Sequence, residues 1–166
     1  MAVGKRAQQV MDEIKSMYTV KAEGPPGYYL GNDYKRDKKG RLCVGSKKYI
    51  KEVLTWIENI FGTLRKYYNP SETSDNPELD NSRALGDDEH RQYQMLTGIL
   101  IWVVRLGRSD VSHATSSLLR FYACPREGHL ARALCVFGFL KKRPNRRYVV
   151  DSRDPILRGG KEALGK

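Results

Sequence analysis

The sequence predicts an α+β protein that is mostly helical, with an N-terminal helix and a β-hairpin followed by a helical bundle and a short C-terminal strand. Three observations predict this class. The run Met95–Val104 is almost entirely apolar, which makes it longer than most strands and too short to cross a bilayer. Two short runs of strand-forming residues precede it, and other segments carry apolar residues at helical spacing. The apolar run is therefore predicted to be the core helix of the bundle.

The N-terminal segment is predicted to be an amphipathic helix from about Gln8 to Tyr18, because apolar residues recur there at helical spacing. Its apolar face is expected to lie on another element. The Gly- and Pro-rich segment 23–27 then ends the helix and turns the chain.

A β-hairpin with a charged tip is predicted from the strand-like runs Tyr28–Tyr34 and Arg41–Val44. From Lys35 to Lys51 the chain has eight basic residues against the single acid Asp37, and the formal net charge of the whole chain is +11. This excess favours an anionic partner, most commonly nucleic acid. A solvated tip that binds nothing is the alternative. The candidate nucleic-acid-binding residues are Lys35, Arg36, Lys38, Lys39, Lys47, Lys48 and Lys51.

The hairpin leads directly into a second amphipathic helix, which is predicted to have Ser46 as its N-cap and to end at Gly62. The first turn of this helix is basic. Free backbone N–H groups at a helix start bind anions, so they are expected to add to the lysine charges if a phosphate approaches.

The segment 69–86 is predicted to be a long acidic loop, because it contains Pro, Ser, Asn and Asp and few apolar residues. We expect this loop to be mobile and to lie away from any nucleic acid. Asp87 or Asp88 is predicted to cap the core helix. A catalytic carboxylate pair at Gly86-Asp87-Asp88 is disfavoured, since a polar helix start follows it instead of an apolar strand. Gly98, in mid-helix, is expected to mark a close helix-helix approach.

Two further helices are predicted, the first capped by Ser109 and the second with Pro125 in its first turn. The second ends in the basic run 141–147, and Tyr148–Val150 is predicted to be one short strand. The predicted structural core residues are Tyr93, Gly98, Trp102, Phe121 and Phe137.

The three cysteines, Cys43, Cys124 and Cys135, lie far apart and predict neither a disulfide framework nor a zinc site. Cys124 and His129 are close enough for half of a metal site, but core packing for Cys124 and a solvated His129 are favoured. The N-terminus has no apolar signal core and no transmembrane run follows, so an intracellular protein, cytoplasmic or nuclear and not secreted, is expected.

The order of these elements, together with several short motifs, resembles the second half of the reverse transcriptase of copia-type retrotransposons. The resemblance covers roughly Ala7 to Asp154. Three positions depart from the family pattern: Ser46 stands where Gln is usual, Gln94 where Arg is common and Ser109 where Pro is usual. The motifs are Tyr29-Leu-Gly31, Ser46-Lys-Lys-Tyr-Ile50, Asn69-Pro70, Tyr93-Gln-Met-Leu-Thr-Gly98, Arg108-Ser-Asp-Val111, Leu119-Arg-Phe121 and Gly138-Phe-Leu-Lys-Lys142.

The resemblance implies three regions. Residues 1–45 would be a palm-edge helix and a primer-grip-like hairpin, residues 46–144 a thumb-like helical bundle with the acidic loop 69–86, and residues 145–166 a truncated connection toward RNase H with a disordered tail. The implied partners are a primer-template duplex of RNA and DNA and the remainder of the reverse transcriptase, namely its fingers-palm and RNase H parts, with no membrane. The primer-grip-like residues would be Tyr28, Tyr29, Leu30 and Gly31.

The chemistry implied for the full-length family enzyme needs carboxylates of a Tyr-x-Asp-Asp strand, which bind Mg²⁺. That motif does not occur in this sequence. No catalytic residue, metal ligand or cofactor is therefore expected in the chain, which should not polymerise alone. Two alternatives are a non-enzymatic nucleic-acid-binding remnant or domesticated module, and a metal-dependent nuclease that uses Asp151 and Asp154.

Overall fold

The computed structural model describes residues 2–19, 27–71 and 76–150. It confirms a mostly helical α+β fold with an N-terminal helix, a small antiparallel sheet and a helical bundle. No helix among these residues is long and apolar enough to cross a membrane. The elements are α1 (Ala2–Met17), β1 (Tyr28–Tyr29), β2 (Asn32–Arg36), β3 (Leu42–Gly45), α2 (Lys47–Phe61), α3 (Asp87–Arg105), α4 (Ser112–Leu119), α5 (Glu127–Lys142) and β4 (Arg147–Val150), with 3-10 turns at Pro77–Leu79 and Ser109–Val111.

The core lies between α2, α3, α4 and α5, and α3 contributes the apolar run that the sequence predicted to be buried. Tyr93 and Phe137 are fully buried, as predicted. The Tyr93 hydroxyl donates to the Leu118 carbonyl oxygen at 2.6 Å, which ties α3 to α4. Burial raises the pKa of Tyr93, so this hydroxyl keeps its proton and remains a donor. The other buried side chains of the core are Ile50, Leu54, Ile57, Leu64, Leu96, Leu100, Val103, Val111, Ala114, Leu118, Ala133, Val136, Phe139 and Leu140.

Three of the residues predicted to lie in the core are exposed or only partly buried. Gly98 lies on the exposed side of α3, and a Cβ there would meet no atom within 4 Å, so no helix approaches it. Trp102 is 39% exposed because it lies at the edge of the buried face of α3. Phe121 is half-buried and stacks on the His129 ring with centroids 4.0 Å apart.

The helix starts also differ from the sequence predictions. The N-cap of α3 is Gly86, whose backbone N–H donates to Glu89 at 3.0 Å, so Asp87 and Asp88 lie inside the first turn. Ser109 begins a 3-10 turn ahead of α4 and does not cap that helix. Pro125 precedes the N-cap of α5 by one residue instead of lying in the first turn.

The sheet has the order β1-β2-β3-β4, and all neighbours are antiparallel. The sequence predicted one continuous run over Tyr28–Tyr34, but Leu30 and Gly31 break it. Both have positive φ, 48° and 88°, and so form the two-residue turn that joins β1 to β2. Gly31 is buried against the end of α3, since a Cβ there would lie 2.9 Å from the Leu106 side chain.

The C-terminal strand pairs with the hairpin. Gly45 is opposite Arg147 and Leu42 is opposite Val150 in the β3–β4 register. The Tyr148 ring covers Gly107, where a Cβ would lie 2.3 Å from the ring, and the Tyr148 hydroxyl donates to the Ser109 hydroxyl at 3.0 Å. The predicted strand is therefore confirmed, and it becomes the fourth strand of the hairpin sheet.

The buried Arg108 side chain fixes the loop that contacts β4. Its guanidinium donates twice to the Asp110 carboxylate, at 2.9 Å each. The side-chain exposures are 1% and 11%, so the pair is shielded from water. Burial alone would raise the pKa of Asp110, but hydrogen bonds and charge from Arg108 outweigh it and the pKa is lowered. Arg146, just before β4, lies 3.6 Å from the same carboxylate.

The second half of the predicted acidic loop lies against α5. Pro77 is buried, and Asp80 forms an ion pair with Arg132. Asp80 also accepts the Ser82 backbone N–H at 2.9 Å and the Ser82 hydroxyl. Residues 72–75, which include the first two acids of the loop, lie outside the described residues.

The structure contradicts the predictions for Cys124 and His129. Cys124 is exposed, because it lies in the turn between α4 and α5. His129 is buried, since its ring fits between Phe121 and Pro77. The Arg126 backbone N–H donates to His129 Nδ1 at 3.0 Å. The proton is therefore on Nε2, which donates to the Pro77 carbonyl oxygen at 2.9 Å.

The first helix is present, but the prediction that its apolar face packs on another element is wrong for the described structure. The side chains of Val10, Met11, Ile14 and Met17 are each at least 38% exposed. The helix begins at Ala2, earlier than the periodicity predicted, and ends at Met17.

We expect Gly31→Ala to destabilise the protein more than Gly40→Ala. Both positions have positive φ, +88° and +77°, so both variants carry the cost of a left-handed backbone, roughly 1–2 kcal/mol. Only the Gly31 variant adds a contact with Leu106, because nothing lies within 4 Å of a Cβ at Gly40. Urea denaturation of both variants measures the difference. Equal losses would contradict the close packing of the β1–β2 turn on α3.

We expect Asp80→Asn to reduce the loss of folding stability that the protein undergoes as the pH falls. The Ser82 hydroxyl, then its backbone N–H and Arg132, lower the pKa of Asp80 from 3.8 to about 2. Because the folded-state pKa is depressed, the stabilisation is complete above the unfolded value and is lost as the pH falls toward 2. Its size is roughly 2 kcal/mol.

The measurement is urea unfolding of the wild type and Asp80→Asn from neutral pH down to about pH 2. Asp88→Asn is the matched control, since the Asp88 side chain is 93% exposed. If the Asp80 variant loses as much stability on acidification as the wild type and the Asp88 variant do, the hydrogen bonds and ion pair of Asp80 do not have this role.

Candidate nucleic-acid interface

The junction between β3 and α2 sets the geometry of the basic region. Ser46 occupies the N-cap position of α2, as predicted, but its buried hydroxyl has no hydrogen-bond partner within the described chain. Asp33 of β2 provides the cap instead, because its carboxylate accepts the Lys48 backbone N–H at 3.0 Å. The expected set of free N–H groups at this helix start is thus reduced, and a carboxylate already stands there.

Four cations from three parts of the chain line one cleft of about 150 Å³ beside this junction. Lys35 comes from β2 and Lys47 from the first turn of α2. Arg147 is the first residue of β4, and Arg146 directly precedes it. Asp33 is the acidic side chain of the lining. We call this group, Lys35, Lys47, Arg146 and Arg147, the basic cleft.

The tip of the hairpin is organised by Asp37. Its carboxylate accepts the backbone N–H groups of Lys39 and Arg41, each at 2.9 Å, and the Arg41 Nε–H at 2.8 Å. The Arg41 backbone N–H has the largest effect in lowering the pKa of Asp37 below its usual value. Lys38 and Lys39 remain exposed on the turn that Asp37 stabilises.

The seven predicted binding residues do not form one continuous group. Lys35 and Lys47 share the basic cleft, and Lys51 lies one helical turn beyond Lys47. Arg36 points to the other face of the sheet, where its guanidinium donates to the Gly40 carbonyl oxygen at 2.8 Å. The Lys48 ammonium lies 4.6 Å from the centre of the Tyr28 ring.

The primer-grip-like residues differ in exposure. Tyr28, Tyr29 and Leu30 are 43%, 61% and 63% exposed, so they are available at the edge strand and its turn. Gly31 is buried against Leu106 and has a packing role.

Sequence reasoning identified the basic run 141–147 but did not connect it with the hairpin. The structure makes that connection through β4, which places Arg146 and Arg147 in the cleft with Lys35 and Lys47. The available signal was the short strand directly after the basic run. Its partner could not be read from the sequence, because strand pairing at long separation has no local pattern.

The arrangement is suited to binding an anion. Within residues 2–19, 27–71 and 76–150, no group of three or more His, Cys, Asp or Glu side chains is placed to hold a metal ion. The carboxylates of the nuclease alternative, Asp151 and Asp154, lie outside the described residues. The described basic region offers an anion several positive side chains.

The chain is similar to a protein of Saccharomyces cerevisiae described as "Putative transposon Ty5-1 protein YCL074W". The two are 27% identical over 138 residues, which cover 80% of this chain and 42% of the yeast protein. This chain thus spans less than half of that relative's length. The similarity supports a retrotransposon-derived origin. No protein-family model matches the chain, and no solved structure matches it.

We expect Asp33→Ala to destabilise the protein and Ser46→Ala to have little effect. Removal of the Asp33 carboxylate leaves the Lys48 backbone N–H without its cap, and lost caps cost about 0.5–2 kcal/mol. The Ser46 hydroxyl is buried and has no partner among the described residues, so its removal is neutral or stabilising. Thermal and urea unfolding measure both variants. A larger loss for Ser46→Ala than for Asp33→Ala would show that Ser46 caps α2 after all.

Proposed function

We propose that the chain is the palm-edge and thumb part of a copia-type retrotransposon reverse transcriptase, and that it binds the phosphate backbone of a primer-template duplex through the basic cleft. The observation that supports binding most directly is the convergence of Lys35, Lys47, Arg146 and Arg147 on one cleft. Asp33 in the lining and Asp110 beside Arg146 offset part of this charge, and a bound anion would offset the excess that remains. A nucleic-acid backbone supplies a dense row of such anions.

Two further observations favour a nucleic-acid backbone over a small anion as the ligand. Lys38 and Lys39 at the tip and Lys51 along α2 are exposed outside the cleft, so a long anion has further cations to contact. The similarity to a transposon protein supports a retrotransposon-derived origin, and the order of sequence motifs supports the finer assignment to a reverse transcriptase.

The proposed binding is independent of sequence. Lysine and arginine side chains that contact phosphates position a protein on a duplex without reading the bases. Tyr28 and Tyr29 are exposed at the sheet edge, and the Tyr28 ring lies beside Lys48 of α2. On this proposal the two rings pack on sugars of the duplex.

Catalysis, on this proposal, belongs to other parts of the enzyme. The Mg²⁺-binding carboxylates of the family would come from a fingers-palm part, and RNA cleavage from an RNase H part. Both are the protein partners that we propose for this chain. The chain itself contributes the surface that holds the duplex.

We expect the double variant Lys47→Glu, Arg147→Glu to bind an RNA–DNA duplex at least roughly tenfold more weakly than the wild type, because two attractive contacts become repulsive. The wild-type affinity should fall steeply with salt, and Lys47→Gln should reduce the slope of log affinity against log salt by about 1. Fluorescence anisotropy with duplexes of two unrelated sequences gives both quantities.

The matched control is Arg91→Glu, which changes the net charge but lies on α3 outside the basic cleft. Its duplex affinity should stay within about twofold of the wild type at moderate salt. An equal loss per unit of charge in Arg91→Glu would mean that only net charge matters. Salt-independent binding would contradict a phosphate-binding cleft.

A further inference from the structure

A second basic and aromatic surface lies where the segment after α2 crosses the last turns of α5. Gly138 of α5 is buried, and a Cβ there would lie 2.2 Å from the Arg65 carbonyl oxygen. The Tyr67 backbone N–H donates to the Gly138 carbonyl oxygen at 3.3 Å. The Lys141 ammonium donates to the Leu64 carbonyl oxygen at 3.1 Å. Because backbone lies directly on backbone at Gly138, the position of this segment on α5 is closely fixed.

This attachment places cations beside two tyrosines. The Arg65 guanidinium lies 5.6 Å from the centre of the Tyr67 ring, and the Lys142 ammonium lies 4.7 Å from the centre of the Tyr68 ring. Tyr68 is 67% exposed, so burial of its ring in the core does not explain its position. Lys66 and Arg143 are exposed on the same two segments. We call the group Arg65, Lys66, Tyr67, Tyr68, Lys142 and Arg143 the Tyr68 surface.

A cavity of about 610 Å³ adjoins this surface, and both tyrosines line it. Its volume lies within the range of about 300–1,000 Å³ typical of small-molecule sites. Ala131 and Cys135 provide an apolar part of the wall, while Asn69 and Arg132 provide polar groups. The carboxylate that reaches the wall, Asp80, forms an ion pair with Arg132, so its negative charge is compensated.

We propose that the Tyr68 surface binds a single-stranded segment of nucleic acid, with an unpaired base stacked on Tyr68 at the cavity and the flanking phosphates on Lys66, Lys142 and Arg143. An exposed aromatic ring bordered by cations is the arrangement that holds unpaired bases. A base inside a duplex is already stacked and paired, so it cannot offer its face to Tyr68. This inference rests on the proposed function, because it assigns the unpaired part of the same nucleic acid to a separate surface.

The test compares a fluorescent single-stranded oligonucleotide of about 12 nucleotides with a duplex of the same sequence, both by anisotropy. Tyr68→Ala should weaken single-strand binding by about fivefold to 100-fold, which is the usual effect of losing one stacked base, and leave duplex binding unchanged. Tyr68→Trp should restore single-strand binding, since a larger ring still stacks. Tyr122→Ala is the matched control, because Tyr122 is 45% exposed and belongs to neither basic surface.

Circular dichroism confirms that each variant is folded before binding is compared. Unchanged single-strand affinity in Tyr68→Ala would overturn the inference. So would an equal loss for single strand and duplex, because the surface would then belong to the duplex site. Competition by a mononucleotide at the concentration at which the oligonucleotide competes would also overturn it, by assigning the cavity to a free nucleotide. Tyr68-dependent single-strand binding without any wild-type duplex binding would support this inference while the duplex proposal failed.

Discussion

The antiparallel pairing of β4 with β3 is the interaction on which the candidate interface depends. It places Arg147 opposite Gly45 and so joins residues from distant parts of the chain. The pairing is supported by the loop after α3, where Tyr148 covers Gly107 and the buried Arg108 holds Asp110 close to Arg146. A buried guanidinium without its carboxylate costs several kcal/mol, so the Arg108–Asp110 pair strongly favours this one loop conformation. The shape of the basic cleft therefore depends on the Arg108–Asp110 contact, which lies outside the cleft.

Electrostatic compensation explains why cations can gather in this sheet without a bound ligand. Asp37 and Arg41 neutralise one another at the tip, and Asp33 stands among the cleft cations while it caps α2. These acids lie close to the backbone that they stabilise, so their main role is structural. The remaining positive side chains of the hairpin tip and of the basic cleft are exposed.

Sequence periodicity predicted most helices and strands because each pattern is local. The run Met95–Val104 became the buried part of α3, and Tyr148–Val150 became a strand. The errors concern features that depend on tertiary contacts: Gly98 is exposed, His129 is buried, and Asp33 replaces Ser46 as the cap of α2. No local rule reveals a cap donated by another strand.

The candidate site was predictable only in part for the same reason. The charge excess located the hairpin and the start of α2, and two of the predicted residues, Lys35 and Lys47, do line the cleft. Alternation along β2 separates Arg36 from Lys35, and β4 adds two arginines that the hairpin pattern could not include. The assignment to a reverse transcriptase and the roles of these residues stay predictions.

The position of β4 in the sheet has a consequence for the order of events on the ribosome. Synthesis proceeds from the N-terminus, so the hairpin leaves the exit tunnel long before its fourth strand does. During that interval the outer edge of β3 is unpaired, which is a state prone to association with other chains. Its charged tip and its short length both discourage such association. The nascent chain thus acquires an assembled cleft only after β4 has been synthesised, and contacts between residues so distant in sequence form slowly.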